Sequence, residues 1–191
     1  FFQFLNSTTL QYLENCLHNT SLNKSDISLL LDMHNLPFEK DNIVDEKIVI
    51  ESVFYLEDIH GKQINFSDFT GKILYIDIWA SWCGPCRKQF PYAKALKKKF
   101  SKKQLKKIEF IYISIDTDYA KWKTSLDQLG LDGNQFISPS NKLNSAGSYF
   151  QASSIPRYIL IDKKGEIINN NAKRPSDETL FDDLLELINS K

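Results

Sequence analysis

Two nearly unbroken apolar runs, separated by one helical stretch, constrain the fold of this chain more than any other feature. The first run is KILYIDIW at 72–79 and the second is KIEFIYISI at 107–115. Such runs are typical of strands that are buried on both faces of a sheet. Between them, Phe90, Ala93 and Leu96 follow a helical spacing with lysines opposite. Because a strand, a helix and a second strand in this order form a βαβ unit, the pattern predicts two parallel strands.

The composition sets the class of the protein. A chain of 191 residues is long enough for one well-buried domain with some tens of residues to spare. With 42% hydrophobic and 13% aromatic residues, a packed core is expected. Lys+Arg and Asp+Glu both number 24, so the net charge does not point to nucleic acid or to an anionic membrane. No apolar run reaches the roughly 18 residues of a membrane span.

The beginning of the chain differs in pattern from the rest. The apolar residues of 8–20 and 23–36 are spaced as on helix faces, and β-branched alternation starts only afterwards. We therefore predict a helical extension at 1–45 and one α/β domain at 46–191. The chain opens without an initiator methionine and without the basic flank of a signal peptide, so we expect it to be a piece of a longer protein.

The remainder of the domain alternates strands, helices and turns. Apolar periodicity and turn residues locate these elements. In chain order we predict two short strands around His60–Gly61–Lys62, a helix at 118–131 that ends near Gly130, a short strand at 134–138, a hairpin of 157–162 and 166–170 turning at Lys164–Gly165, and a last helix at 175–191. Ser176 is the expected cap of that last helix.

Two of the three cysteines form the motif Cys83-Gly84-Pro85-Cys86. The motif lies where the first buried strand ends and the helix begins, the edge at which open α/β sheets gather reactive groups. The sulfur of Cys83 would lie near unpaired N–H groups and the positive end of the helix dipole, which favour the nucleophilic thiolate. Cys86, one turn further on, would be shielded and able to close the ring. Pro85 is tolerated in the first turn.

Two other interpretations of the cysteine pair remain open at this point. A zinc site needs further ligands at suitable spacing, whereas the remaining candidates are scattered: Cys16, His18, His34 and His60. A purely structural disulfide that closes so small a ring would constrain the unfolded chain only modestly. Both interpretations are weaker than reversible redox exchange.

The stretch YIDIWASWCGPCRKQFP resembles the active site of the thioredoxin superfamily, and more closely the exported TlpA/ResA-like thiol-disulfide oxidoreductases, which are related to the redoxin group. The resemblance runs from about residue 50 to the C-terminus. It implies a thioredoxin-like α/β fold, a central mixed sheet flanked by helices, with an extra βα insertion and the N-terminal extension. Cys83 then matches the attacking cysteine, Cys86 the resolving cysteine, and Pro91 the proline that kinks the active-site helix.

The same resemblance extends to SSIPRYILIDKKGEII in the second half of the domain. It implies a cis peptide bond before Pro156 and a loop in which the Ile155 backbone holds an extended substrate. Trp82, Gly84 and Pro85 would complete the substrate-binding surface.

Two further positions bear on mechanism. Asp77 interrupts a buried run, where an acid is costly unless it has a purpose. Its place, six residues before Cys83, matches the buried acid of thioredoxin, so we expect a raised pKa and a role in taking the proton of Cys86; the alternative is an acid that escapes burial at a strand end. Gln89 departs from the family, because ResA-like proteins often carry a glutamate there.

These features predict an enzyme that reduces protein disulfides. The resemblance implies no metal and no cofactor, disulfide-containing client proteins, a thiol electron donor such as a membrane thiol relay, no nucleic acid, and a periplasmic or cell-envelope location. The Gly84–Pro85 dipeptide resembles that of reducing thioredoxins. The alternatives are a disulfide oxidase, a peroxidase, which would need a threonine that WASWC lacks, or a non-catalytic peptide-binding module. The lysines of 97–107 are expected to form a solvated helix face, with a docking patch for an acidic partner as the alternative.

Overall fold

The computed structural model describes residues 54–190, except Asn65, Asp132 and Leu143, and it omits the side chain of Ser67. The predicted extension at 1–45 and the predicted domain boundary lie outside the described residues, as does Cys16.

The described part of the chain contains six strands and six helices. The strands are β1 (Glu57–Asp58), β2 (Ile73–Trp79), β3 (Ile108–Ser114), β4 (Asn134–Ile137), β5 (Arg157–Ile161) and β6 (Ile167–Asn169). The helices are α1 (Gly84–Arg87), α2 (Phe90–Lys99), α3 (Lys102–Leu105), α4 (Tyr119–Leu129), α5 (Ala146–Tyr149) and α6 (Leu180–Asn189), with a 3-10 turn at Phe66–Phe69.

The described strands form one mixed sheet in the order β1-β4-β3-β2-β5-β6. β2 and β3 are parallel, with Ile73 opposite Ile108 and Trp79 opposite Ser114, which confirms the predicted βαβ unit. β4 continues the parallel part, whereas β5 pairs with β2 in the antiparallel direction. β5 and β6 are the predicted hairpin. β2 is central, so the loop that follows it starts from the middle of the sheet.

Side chains cover both faces of the sheet, which explains why β2 is apolar along its whole length. Every residue of β2 is buried. Ile73, Tyr75 and Trp79 point to the face that carries α2, α4 and α6. Leu74, Ile76 and Ile78 point to the opposite face, whose core includes Ala146 and Phe150. The alternation follows from the two-residue period of a strand.

The helical segment after the cysteine motif consists of two parts. α1 is a single turn, and α2 starts after the break at Lys88–Gln89. Pro91 lies in the first turn of α2, where a residue without an N–H group is tolerated. The predicted apolar stripe of α2 is buried from Phe90 through Ala93 to Leu96. The kink that the resemblance implied is therefore a break between two short helices.

One predicted helix start is wrong, and the first predicted strand pair is very short. The last helix begins at Leu180, with Thr179 rather than Ser176 at its N-cap. The reason is a local turn, in which the Asp177 carboxylate accepts hydrogen bonds from the N–H (2.9 Å) and hydroxyl (2.7 Å) of Thr179. At the start of the domain, β1 has two residues and reaches its predicted partner only through the Glu57–Gln63 bridge. The 3-10 turn that follows packs Phe69 against Phe136.

Candidate active site

The cysteine motif forms the first turn after β2. Cys83 is the N-cap of α1 in extended backbone conformation, and its sulfur accepts a hydrogen bond from the Cys86 N–H at 3.1 Å. Cys83 and Cys86 are joined by a disulfide. Pro85 stands in the first turn of α1, as predicted from the sequence. The Cys83 sulfur therefore lies at a helix N-terminus, where N–H groups and the helix dipole stabilise a thiolate.

Exposure differs among the residues of the motif. Cys86 is completely buried and Cys83 keeps 4% of its surface exposed, whereas Trp82 is 69% exposed. Gly84 and Pro85 are also exposed. An approaching thiol or disulfide therefore meets Trp82, Gly84 and Pro85 first and has no surface of Cys86 to attack.

Asp77 is buried on the same face of the sheet as the cysteines. The strand alternation of β2 orients it like Tyr75 and Trp79, which share a core with Cys83 and Cys86. Burial raises the pKa of Asp77 to about 8, although the nearby hydroxyl of Tyr158 lowers the value in part. Within the described residues, neither carboxylate oxygen has a partner in hydrogen-bond geometry. The alternative, that Asp77 escapes burial at a strand end, is excluded because Asp77 is 1% exposed.

The loop before β5 lies at the same edge of the sheet as the cysteine motif. Ile78, near the end of β2, pairs with Arg157 at the start of the antiparallel β5. This register brings Ile155 and Pro156 beside the chain that leaves β2. The Ile155–Pro156 peptide bond is cis, as expected from the resemblance. In the described structure, the Ile155 backbone makes no hydrogen bond to another residue.

Asp116 is a buried residue that the sequence analysis missed. It follows β3 and is 3% exposed. Its carboxylate accepts hydrogen bonds from the Ser81 N–H (2.8 Å), the Ser81 hydroxyl (2.7 Å) and the Ser114 hydroxyl (2.6 Å). Asp116 therefore holds the loop that leads from β2 to Cys83. An acid directly after a buried strand, at the carboxyl edge of the sheet, is the sequence signal that could have identified it.

Gln89 stands at the position where ResA-like proteins often have a glutamate. It is 9% exposed, and its side-chain oxygen accepts a hydrogen bond from the Ser176 N–H at 3.1 Å. The amide thus connects the break between α1 and α2 to the turn before α6. Trp79 and Trp122 are fully buried core residues.

Neither a metal site nor a membrane span is visible in the part of the chain that the structure describes. No group of three or more His, Cys, Asp or Glu side chains is placed there to hold a metal ion. None of the described helices has the length and hydrophobicity needed to cross a bilayer.

A cysteine pair at a strand-to-helix junction of a mixed sheet, facing a cis-proline loop, defines the class of thioredoxin-like proteins. A model of the Redoxin family matches residues 44–185. The chain therefore belongs to the Redoxin family. This result agrees with the TlpA/ResA-like resemblance of the motif.

Individual relatives are consistent with this membership. The "Thiol-disulfide oxidoreductase ResA" of Bacillus thuringiensis (strain Al Hakam) is 31% identical over 115 residues, which are 60% of this chain. The match spans 63% of that relative, slightly less than two thirds of its length.

Solved structures show the same fold. A crystal structure described as a thiol-disulfide oxidoreductase from Bacteroides vulgatus has 36% identity and a TM-score of 0.62, covering 70% of this chain and 91% of its own. A thiol-disulfide oxidoreductase from Bacteroides fragilis NCTC 9343 has 25% identity and a TM-score of 0.60, covering 70% and 96%. The predicted thioredoxin-like fold is confirmed.

Proposed function

We propose that this protein is a thiol-disulfide oxidoreductase that reduces disulfides in client proteins through Cys83 and Cys86. The observation that carries the proposal is the Cys83–Cys86 disulfide at the N-terminus of α1, with Cys86 fully buried. This asymmetry suits a cysteine pair in which one sulfur meets the client and the other completes the reaction within the protein.

The reaction starts from the reduced pair. The Cys83 thiolate attacks one sulfur of a client disulfide, so that the client S–S bond breaks, a mixed disulfide forms, and the released client thiolate takes up a proton. Cys86 then loses its proton and attacks the Cys83 sulfur. The mixed disulfide breaks, the Cys83–Cys86 disulfide forms, and the second client thiolate leaves. Two electrons have then passed from the protein to the client.

Asp77 is the proposed acceptor of the Cys86 proton, through a water molecule. Its carboxylate is buried on the sheet face that also carries the core of Cys83 and Cys86, and neither of its oxygens has a partner in hydrogen-bond geometry among the described residues. Burial raises the pKa of Asp77 to about 8, which is near the pKa of an ordinary thiol and allows proton transfer in both directions.

The client segment is proposed to lie between the exposed Trp82 and the Ile155–Pro156 loop. The Ile155 backbone makes no hydrogen bond within the described structure, so it is free to pair with an extended client backbone. Gly84 and Pro85 offer a surface without bulky or charged side chains next to Cys83. This arrangement favours unfolded or extended clients.

Reduction consumes electrons, so the proposal includes a thiol electron donor that regenerates the dithiol. The resemblance to exported proteins supports work in the cell envelope, where a membrane thiol relay is the expected donor. The feature that favours reduction of clients over their oxidation is the Gly84–Pro85 dipeptide.

The first test is the reduction potential of the cysteine pair, measured by equilibration against defined thiol/disulfide buffers. A value near about −270 mV supports a reductase. A value near about −120 mV would mean that the protein is an oxidant and that the proposed direction is wrong.

Variants separate the proposed roles. The Cys86→Ser variant should accumulate mixed disulfides with a test protein that contains disulfides, whereas the Cys83→Ser variant should form none. Binding of an unfolded peptide without exchange in the wild type would favour the peptide-binding module instead. Asp77→Asn should slow the release of the mixed disulfide, and unchanged rates across pH would remove Asp77 from the mechanism.

A further inference from the structure

A groove runs along α2 on the sheet face that also carries α4. Its volume is about 550 Å³, and it is open to solvent on one side. Its floor includes Tyr112 of β3 and Gln135 of β4, and its far wall is formed by Leu129, Gly130 and Leu131 at the end of α4. From Phe90 to Phe100, both lining residues, the helix rise gives a length of about 15 Å.

The rim of this groove is basic and its floor is largely apolar. The cations that line it are Arg87, Lys94, Lys97 and Lys98. None of the described lining residues is acidic. The ammonium group of Lys97 lies over the rings of Phe110 (5.6 Å to the centroid) and Tyr112 (6.0 Å).

The positive charge here is not neutralised within the described structure. From Gly84 to Ile108 the sequence contains ten Lys and Arg residues and no Asp or Glu, although the whole chain is neutral. The ion pairs of the described residues involve Lys72, Lys121 and Lys173, none of which belongs to this stretch. A stable surface normally intersperses both signs of charge, so the excess favours an anionic partner.

The shape of the groove selects the kind of anion. An open trough of about 15 Å suits one face of a short helix better than a small ligand, which is usually enclosed on most sides. A flat anionic membrane would contact the outer lysines and leave the recessed aromatic floor empty. Lysine ammonium groups above an apolar floor match a helix whose leucine or phenylalanine face is flanked by glutamates or aspartates.

We infer that the groove along α2 is a docking site for an acidic amphipathic helix of a partner protein. The site starts at Arg87, directly after Cys86, so a docked partner lies beside the cysteine pair. The inference goes beyond the proposed function, because docking requires no disulfide exchange. Its failure would leave the redox proposal intact, and a failure of redox activity would not affect the binding measurement.

The experiment measures fluorescence anisotropy of a labelled helical peptide whose leucine and phenylalanine face is flanked by glutamates. The wild-type protein should bind it, and Lys94→Glu with Lys98→Glu should weaken binding about tenfold or more. Both lysines are exposed, so the fold should be retained, which circular dichroism and a melting curve check. A second peptide, with serines in place of the apolar residues, should bind the wild-type protein about tenfold more weakly.

The matched control is Lys102→Glu with Lys103→Glu, which changes the net charge equally. These lysines are exposed and lie on α3, outside the groove lining. They should change binding by less than about threefold. Equal weakening by both pairs, equal binding of the serine peptide, or no binding by the wild type would overturn the inference. The inference would also be overturned if the wild-type protein attached to phosphatidylglycerol vesicles and the Lys94 and Lys98 changes abolished this attachment.

Discussion

At the scale of single residues, two buried acids of the domain differ in their surroundings. Asp116 is saturated with hydrogen bonds from Ser81 and Ser114, so its carboxylate is stabilised as a structural anchor. Asp77 has no such partner among the described residues, and burial raises its pKa to about 8. A carboxylate fixed by hydrogen bonds thus follows β3, and the proposed proton acceptor lies within the neighbouring strand β2.

Replacing Asp116 by Ala should lower both stability and the rate at which Cys83 reacts. Three short hydrogen bonds to a buried carboxylate are lost, so the free energy of unfolding should fall by about 2–4 kcal/mol. The loop to Cys83 loses its anchor, and disulfide reduction should slow about tenfold or more. Urea unfolding and an insulin reduction assay measure the two effects.

Asp118→Ala is the matched control for this change, since Asp118 follows the same strand but is exposed and caps α4. It should leave the reduction rate unchanged. If Asp116→Ala lowers stability but reacts at the wild-type rate while folded, then Asp116 supports the fold without positioning Cys83.

At the scale of secondary structure, the break between α1 and α2 is in contact with a distant element. The Gln89 side chain accepts the Ser176 N–H, which belongs to the turn before α6. This hydrogen bond ties the reactive turn to the last helix, whose own start is displaced by the Asp177 turn. The position that often holds a glutamate in ResA-like proteins therefore has a structural contact here.

Gln89→Ala should destabilise the protein modestly. Loss of one neutral hydrogen bond at a nearly buried site corresponds to about 1 kcal/mol, or a decrease of about 2–4 °C in Tm. Thermal unfolding followed by circular dichroism measures the shift. Lys88→Ala, at the exposed neighbouring residue, should melt as the wild type does. Equal melting of all three proteins would show that the contact with Ser176 contributes nothing.

At the scale of the whole molecule, Asp77 makes stability depend on pH. The folded protein keeps the proton of Asp77 up to about pH 8, because burial raises its pKa to about 8, whereas an unfolded chain releases it near pH 4. Between these values the folded state binds more protons than the unfolded state. The free energy of unfolding therefore falls as pH rises through this window, by on the order of 1 kcal/mol per pH unit.

Asp77→Asn should remove this contribution. The variant should be more stable than the wild type at pH 8, and the difference should shrink as the pH is lowered to 5. Urea unfolding of the oxidised proteins at both pH values measures this difference in the free energy of unfolding. Asp127→Asn, a change at an exposed residue, is the control and should show the pH dependence of the wild type. Parallel pH dependences of Asp77→Asn and wild type would contradict a buried, protonated Asp77.

Local pattern alone determined the βαβ unit, the reactive turn and the buried acid of this protein. The apolar runs of β2 and β3, the helical stripe of α2 and the Cys83–Cys86 spacing are properties of short windows, and strand and helix periods act within such windows. Asp77 was recognisable because it interrupts one of those runs.

Only the tertiary structure decided which polar groups meet and which surfaces stay open. Asp116 reaches Ser81 across 35 positions and Gln89 reaches Ser176 across 87, so neither partner is encoded in local periodicity. The start of α6 and the groove beside α2 likewise depend on how separate elements pack. Propensity and period act over a few residues, whereas the partner of a buried polar group is set by whichever element the chain folds against it.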